Sequence, residues 1–123
     1  MPSDNQPTDR EREKAFAEAC GIGPLKWNDD AQAWRYADDG LRFFDPLRDL
    51  NDAAEGLRRF CAPGERTWGL TTNEDGCVMC AIAEFQDNCT WEEIAAEFGD
   101  DGPHPECAAV VSAVLAAKGK GKP

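Results

Sequence analysis

Histidine, tyrosine and long apolar runs are what this chain has least of. There is one histidine, His104, and one tyrosine, Tyr36, in 123 residues, so metal or Cys-His chemistry would have to be built on a single imidazole. No apolar run is long enough to span a membrane, and the N-terminal MPSDNQPTDREREK is too polar to be the hydrophobic part of a secretion signal. The expectation is a soluble, cytoplasmic protein. Basic residues are also scarce: 13 Lys and Arg stand against 24 Asp and Glu, a formal net charge of -11. Such a field repels phosphates and attracts basic surfaces, which argues against direct nucleic-acid binding. A glycine-rich phosphate loop is missing as well. Gly21-Ile22-Gly23 lacks a third glycine and follows a helix, whereas a dinucleotide loop follows a strand. No internal repeat is visible.

What the chain does have is enough length for one domain with one core. Residues 1–9 are Pro- and polar-rich and read as a disordered tail, 10–118 as a single domain, and 119–123 as a flexible basic tail. TDREREKAFAEACGIG predicts a short helix with Phe16, Ala19 and Cys20 on one face, ended by Gly21 and Gly23. Between Trp27 and Phe44, polar turns at Asn28-Asp29-Asp30 and Asp38-Asp39-Gly40 separate short aromatic pieces that read as small strands. DPLRDLNDAAEGLRRF is the clearest helix start: Asp45 is expected to cap it and Pro46 to fill its first position. Leu47, Leu50, Ala54, Leu57 and Phe60 form its stripe, and Arg58 and Arg59 suit its C-terminal end.

Thr67–Thr72 and Cys77–Phe85 read as a hairpin, and the second strand is apolar on both faces, as a strand covered on two sides would be. For NCTWEEIAAEFGDDG the capping-box pair Thr90 and Glu93 favours a helix over 90–98, although Trp91, Ile94 and Phe98 would also suit a third strand after a bulge. HPECAAVVSAVLAAKG predicts a closing helix with Cys107, Val110, Val111, Val114 and Leu115 on a wide apolar face. The fold class that follows is α+β: a small antiparallel, hairpin-based sheet packed between helices, in helix-sheet-helix layering.

The six cysteines, without an export signal, read as reduced thiols, and reduced cysteine behaves as a small apolar core residue. In GCVMCAIAEF, strand alternation puts Cys77 with Met79 and Ala81 on one face and Cys80 with Val78 and Ile82 on the other. Two thiols on opposite faces cannot share a metal, so packing is the reading of this CxxC, and no cofactor is expected. A zinc set of Cys77, Cys89, His104 and Cys107 stays as an alternative, although its spacing matches no motif. A catalytic Cys-His pair is disfavoured, because acidic surroundings raise a thiol's pKa.

Paired acids recur at Asp29-Asp30, Asp38-Asp39, Glu92-Glu93 and Asp100-Asp101. Adjacent acids in turns are ordinarily just solvated. Acting together, they resemble spaced phosphates and suit the basic groove of a nucleic-acid-binding protein. A different set suits a nucleotide: Trp34 and Tyr36, with Trp27 or Trp68, to stack on a base, and Arg35, Arg42 or Arg66 to meet phosphate.

An N-terminal short helix, KWNDDAQAWRY, FDPLRDLNDAAEGL, a Trp-bearing hairpin and PECAAVVSAVLAA together resemble small accessory proteins of phages and prophages of the alpha-beta-alpha sandwich type. The resemblance covers roughly residues 15–118 and does not include the cysteine-rich strand. It implies a non-enzymatic phage or mobile-element protein with no catalytic residues. The function expected is binding to a basic host protein, as an anti-defence (anti-CRISPR-like) inhibitor that mimics nucleic acid. The alternatives are a sequestering protein for a nucleotide-type ligand and a zinc-stabilised structural module. Pairing of the hairpin edge with its copy would make a homodimer.

Overall fold

The computed structural model describes residues 8–38, 41–62, 66–72, 74, 77–86, 88–99 and 104–118. Among these the order is α1 (Asp9–Cys20), β1 (Leu25–Asn28), β2 (Ala33–Tyr36), β3 (Phe43–Phe44), α2 (Leu50–Cys61), β4 (Arg66–Thr72), β5 (Val78–Phe85), β6 (Trp91–Phe98) and α3 (Pro105–Lys118). The tails at 1–7 and 119–123 lie outside the described residues. Thr8 and Asp9, expected in the tail, belong to the first helix. Thr8 accepts the Glu11 N–H as the cap, Asp9 and Glu11 complement the positive end, and Gly21 at φ 71° closes the helix in the left-handed region.

Of the two aspartates before α2, the helix uses the second. Asp49, in extended conformation, accepts the Asn51 N–H at 2.9 Å. The expected cap, Asp45, is corrected. It opens a separate turn whose carbonyl accepts from the N–H groups of Arg48 and Asp49, and Pro46 is buried in that turn. Buried on α2 are Ala53, Gly56, Leu57, Phe60 and Cys61, while Leu50, expected in the apolar stripe, is exposed. Gly56 marks a close crossing of α1 and α2, since a methyl group there would collide with the ring of Phe16.

β1, β2 and β3 form one antiparallel sheet, with Trp27 opposite Trp34 and Trp34 opposite Phe44. β4, β5 and β6 form a second, with β5 in the middle. The helix expected over 90–98 is therefore a strand. Thr90 does not cap anything; its hydroxyl donates to Asn88 Oδ1 at 2.6 Å in the turn after β5. Pairing with the open side of β5 satisfies the backbone over the whole segment, and local capping cannot match that. A bulge between the partners of Ile82 and Ala83 leaves Ile94 as the extra residue, so Ile94 and Ala95 are both buried.

α3 determines the layers. Cys107, Ala109, Val110, Val111, Ala113, Val114 and Ala117 are buried around its circumference, which makes it a core helix rather than a one-faced one. It packs on β5 and β6 on one side and on α1 and α2 on the other. The first sheet leans on α1: Trp34 Nε1 donates to the Arg10 carbonyl at 3.0 Å, and Phe44 stacks on Phe16 with centroids 6.1 Å apart. The class is α+β, with helices packed on antiparallel hairpin-built sheets, as expected. The layer order is sheet, helix, helix, sheet. The two-sided cover predicted for β5 comes on one side only among the described residues.

Candidate functional site

The two faces of the second sheet differ. Cys80, Ile82 and Glu84 turn toward the helices and are buried. Met79, Ala81, Ala83 and Phe85 alternate to the other face, where the register sets them beside Phe98, Ala96, Glu93 and Trp91 of β6. That face carries no helix among the described residues. Trp91 is 51% and Phe98 58% exposed, and Trp91 meets Phe85 edge-on with centroids 5.1 Å apart.

β6 is also an edge strand, and its carboxylates line that edge. Glu92, Glu93 and Glu97 are all exposed, Glu93 on the outer face and Glu92 and Glu97 on the rim of the helix side. At the β5–β6 turn, Gln86, Asn88, Thr90, Trp91, Glu92 and Glu93 line an open depression of about 660 Å³. An edge strand offers backbone groups to an extended segment, carboxylates take its Lys and Arg heads, and exposed rings take their stems. Recognition of a basic peptide or surface is the chemistry this edge can perform.

The other acids expected at the binding surface are not gathered here. Asp29 and Asp30 sit in the β1–β2 turn of the other sheet, where Asp29 Oδ1 already accepts from Trp27 Nε1 at 2.8 Å. Asp38 is exposed just after β2. Asp39, Asp100 and Asp101 lie outside the described residues. Glu97, Trp91 and Phe98 were missed from sequence as a group, because a helix over 90–98 would have put Trp91 and Phe98 on one face and Glu93 and Glu97 on the opposite one. As a strand, the same letters collect on one edge.

Of the nucleotide set, Tyr36 and Arg42 do meet. The Arg42 guanidinium stacks 4.6 Å from the Tyr36 ring, and both line a cavity of about 330 Å³ with Gly21, Ile22, Gly23, Asp38 and Arg59. Burial raises the Tyr36 hydroxyl's pKa, and Arg42 pulls it the other way. The rest of the set is elsewhere. Trp34 is core, and Arg35 is half-buried with an Nε that has no hydrogen-bond partner among the described residues. Arg66 is tied to Glu84 at 3.3 Å and to the Phe60 carbonyl at 3.0 Å, and stacks on the Phe60 ring. Trp68 lies on β4 and does not approach the cavity lining.

The alternative zinc set does not converge. Cys77 precedes β5 and Cys89 follows it, so a strand about 26 Å long separates them. Cys107 is buried in α3, and no group of three or more His, Cys, Asp or Glu among the described residues is arranged to hold a metal ion. Cys80 of the CxxC is a core residue. Burial pushes its thiol up to about 12, with the nearby Cys61 adding to it. Burial likewise pushes Cys20 to about 12 and Cys61 and Cys107 to about 11, so none of these four is an activated nucleophile.

Compared with protein-family models, curated proteins and solved structures, the chain matches none of them. The functional reading therefore rests on the geometry just described. No helix among the described residues is long and apolar enough to cross a membrane.

Proposed function

We propose that the chain is a non-enzymatic binding protein that docks a basic segment of a partner protein on the edge of β6. The observation that carries this reading is the combination of three exposed glutamates with exposed Trp91 and Phe98 on one edge strand. A net charge of -11 steers a cationic partner toward it. Main-chain pairing supplies affinity, and carboxylates select Lys and Arg. In the setting that the accessory-protein resemblance suggests, the chain belongs to a phage or mobile element and works in the host cytoplasm. Its partner is a nucleic-acid-binding defence protein whose basic groove it fills, as an anti-defence inhibitor.

The test is capture from bacterial lysate by the immobilised protein, read at increasing salt and in competition with duplex DNA. Captured nucleic-acid-binding proteins should be released by salt and by DNA, and should be lost when Glu92, Glu93 and Glu97 are all changed to Gln. Capture that is indifferent to the three substitutions would end this reading.

The Tyr36–Arg42–Arg59 cavity favours a second reading, sequestration of a nucleotide-type anion, because two guanidinium groups and one aromatic ring line it. Equilibrium dialysis with adenosine monophosphate tests it. Uptake abolished by Arg42→Ala supports it, and no uptake by the unchanged protein removes it.

A further inference from the structure

The second edge of the same sheet differs from β6 in every property that matters for association. β4 is seven residues long and pairs only with β5 among the described residues. From Thr67 to Thr72 it carries no charge, and each of those six residues is exposed. Trp68 and Leu70 are 39% and 38% exposed on the side facing the helices, opposite Ile82 and Cys80. Nothing that blunts an edge strand, neither Lys, Pro nor an inward charge, interrupts this run.

Gly69 stands at its midpoint. Its backbone lies outside the left-handed region, and a Cβ built there meets nothing within 4 Å, so the single chain has no spatial need for glycine. A glycine inside a strand weakens it, having no side chain to pack, and often marks close approach of another backbone. The sequence around it is self-complementary in an antiparallel sense. Centred on Gly69, a two-fold axis sets Thr67 against Thr71 of the second copy, Trp68 against Leu70, and Gly69 against Gly69. Those are favourable Thr–Thr and aromatic–aliphatic cross-strand pairs, and the two Trp–Leu pairs fall on the same face and cover each other.

Charge selects the occupant. Two chains of net charge -11 repel wherever acids face acids, as they would along β6 with Glu92, Glu93 and Glu97. The uncharged stretch of β4 lets two copies approach, and a strongly basic partner gains nothing from it. We propose that the protein is a two-fold dimer joined antiparallel through β4 about Gly69. The two sheets then form one six-stranded sheet that leaves a β6 edge free at each end. This surface is separate from the partner-binding edge, so either assignment can fail without the other.

Sedimentation equilibrium of the full chain tests it, with hydrogen exchange of the β4 amides as a second readout. The expected result is twice the 13.5 kDa chain mass, with β4 amide protection lost on dilution. Gly69→Asp and Gly69→Lys should each give a folded monomer, because the site is open in the single chain and like charges would face each other across the axis. Mixing the two variants should restore a dimer. A wild-type monomer at millimolar concentration overturns the proposal whether or not either variant folds. A dimer that persists in Gly69→Asp overturns it, and so does a mixture that stays monomeric.

Discussion

Glu13 on α1 is buried beside Asp45 of the turn before α2, and the Asp45 carboxyl helps to raise its pKa. Its Oε2 has no hydrogen-bond partner among the described residues, so burial favours the neutral, protonated carboxyl. Burial, then Asp45, pushes Glu13 up to about 8. The Leu47 N–H and the Arg48 guanidinium pull it the other way. The pair links the first helix to the turn that an unused cap residue made available.

Stability should fall with rising pH between the ordinary Glu13 value of 4.5 and about 8. A group whose pKa is raised by folding binds its proton more tightly in the folded state. Its contribution is therefore fully present below the unfolded value and lost as pH climbs through the folded one. Asp52, also raised by burial, acts in the same direction. Glu13→Gln does not titrate. Thermal melts from pH 5 to pH 9 should show a flatter profile for Glu13→Gln than for the wild type, and parallel profiles would refute the raised Glu13 titration.

Gly56→Ala pits propensity against packing. Alanine is favoured in a helix interior by about 1 kcal/mol. The added methyl meets Phe16, which is fully buried and stacked on Phe44, and forced overpacking costs roughly 1–3 kcal/mol. The net expectation is a lower melting temperature, partly restored by adding Phe16→Leu. A more stable Gly56→Ala variant would show that the crossing of α1 and α2 is looser than described.

The cysteines should separate by accessibility. Cys89 is exposed, whereas Cys20, Cys61, Cys80 and Cys107 are buried. A maleimide reagent should label Cys89 in the native protein and those four only after denaturation. Cys80→Ser should cost roughly 1–3 kcal/mol, because a hydroxyl enters an apolar site without a partner. A chelator should leave the melting curve unchanged, and a drop on chelation would restore the zinc set.

The strand assignment of 91–98 distinguishes two substitutions. If Thr90 capped a helix, Thr90→Ala would cost about 1 kcal/mol. In its turn, bonded to Asn88, it should cost under about 0.5 kcal/mol. Ile94→Ala, at the buried bulge, should cost roughly 2–4 kcal/mol. Denaturant titration of both variants gives the comparison, and a reversal of the order would favour the helix.

Local chemistry alone was enough for the helices at either end of the chain and the hairpin of β4 and β5. Gly21 ends α1, Pro105 opens α3, and the Thr67–Thr72 and Cys77–Phe85 runs read as paired strands, because caps and alternation act between near neighbours. The acidity and the core role of Cys80 were legible for the same reason. Three features needed the assembled fold. The second of two equivalent aspartates caps α2, which freed Asp45 for Glu13. The segment from Trp91 to Phe98 became a strand because β5 had an open side, and that pairing gathered Glu92, Glu93, Glu97, Trp91 and Phe98 on one edge. α3 became the central layer because an Ala- and Val-rich helix buries on every side when a sheet and two helices are available to surround it. Each of these choices lies between locally equal options, and only contacts between residues far apart in the chain separate them.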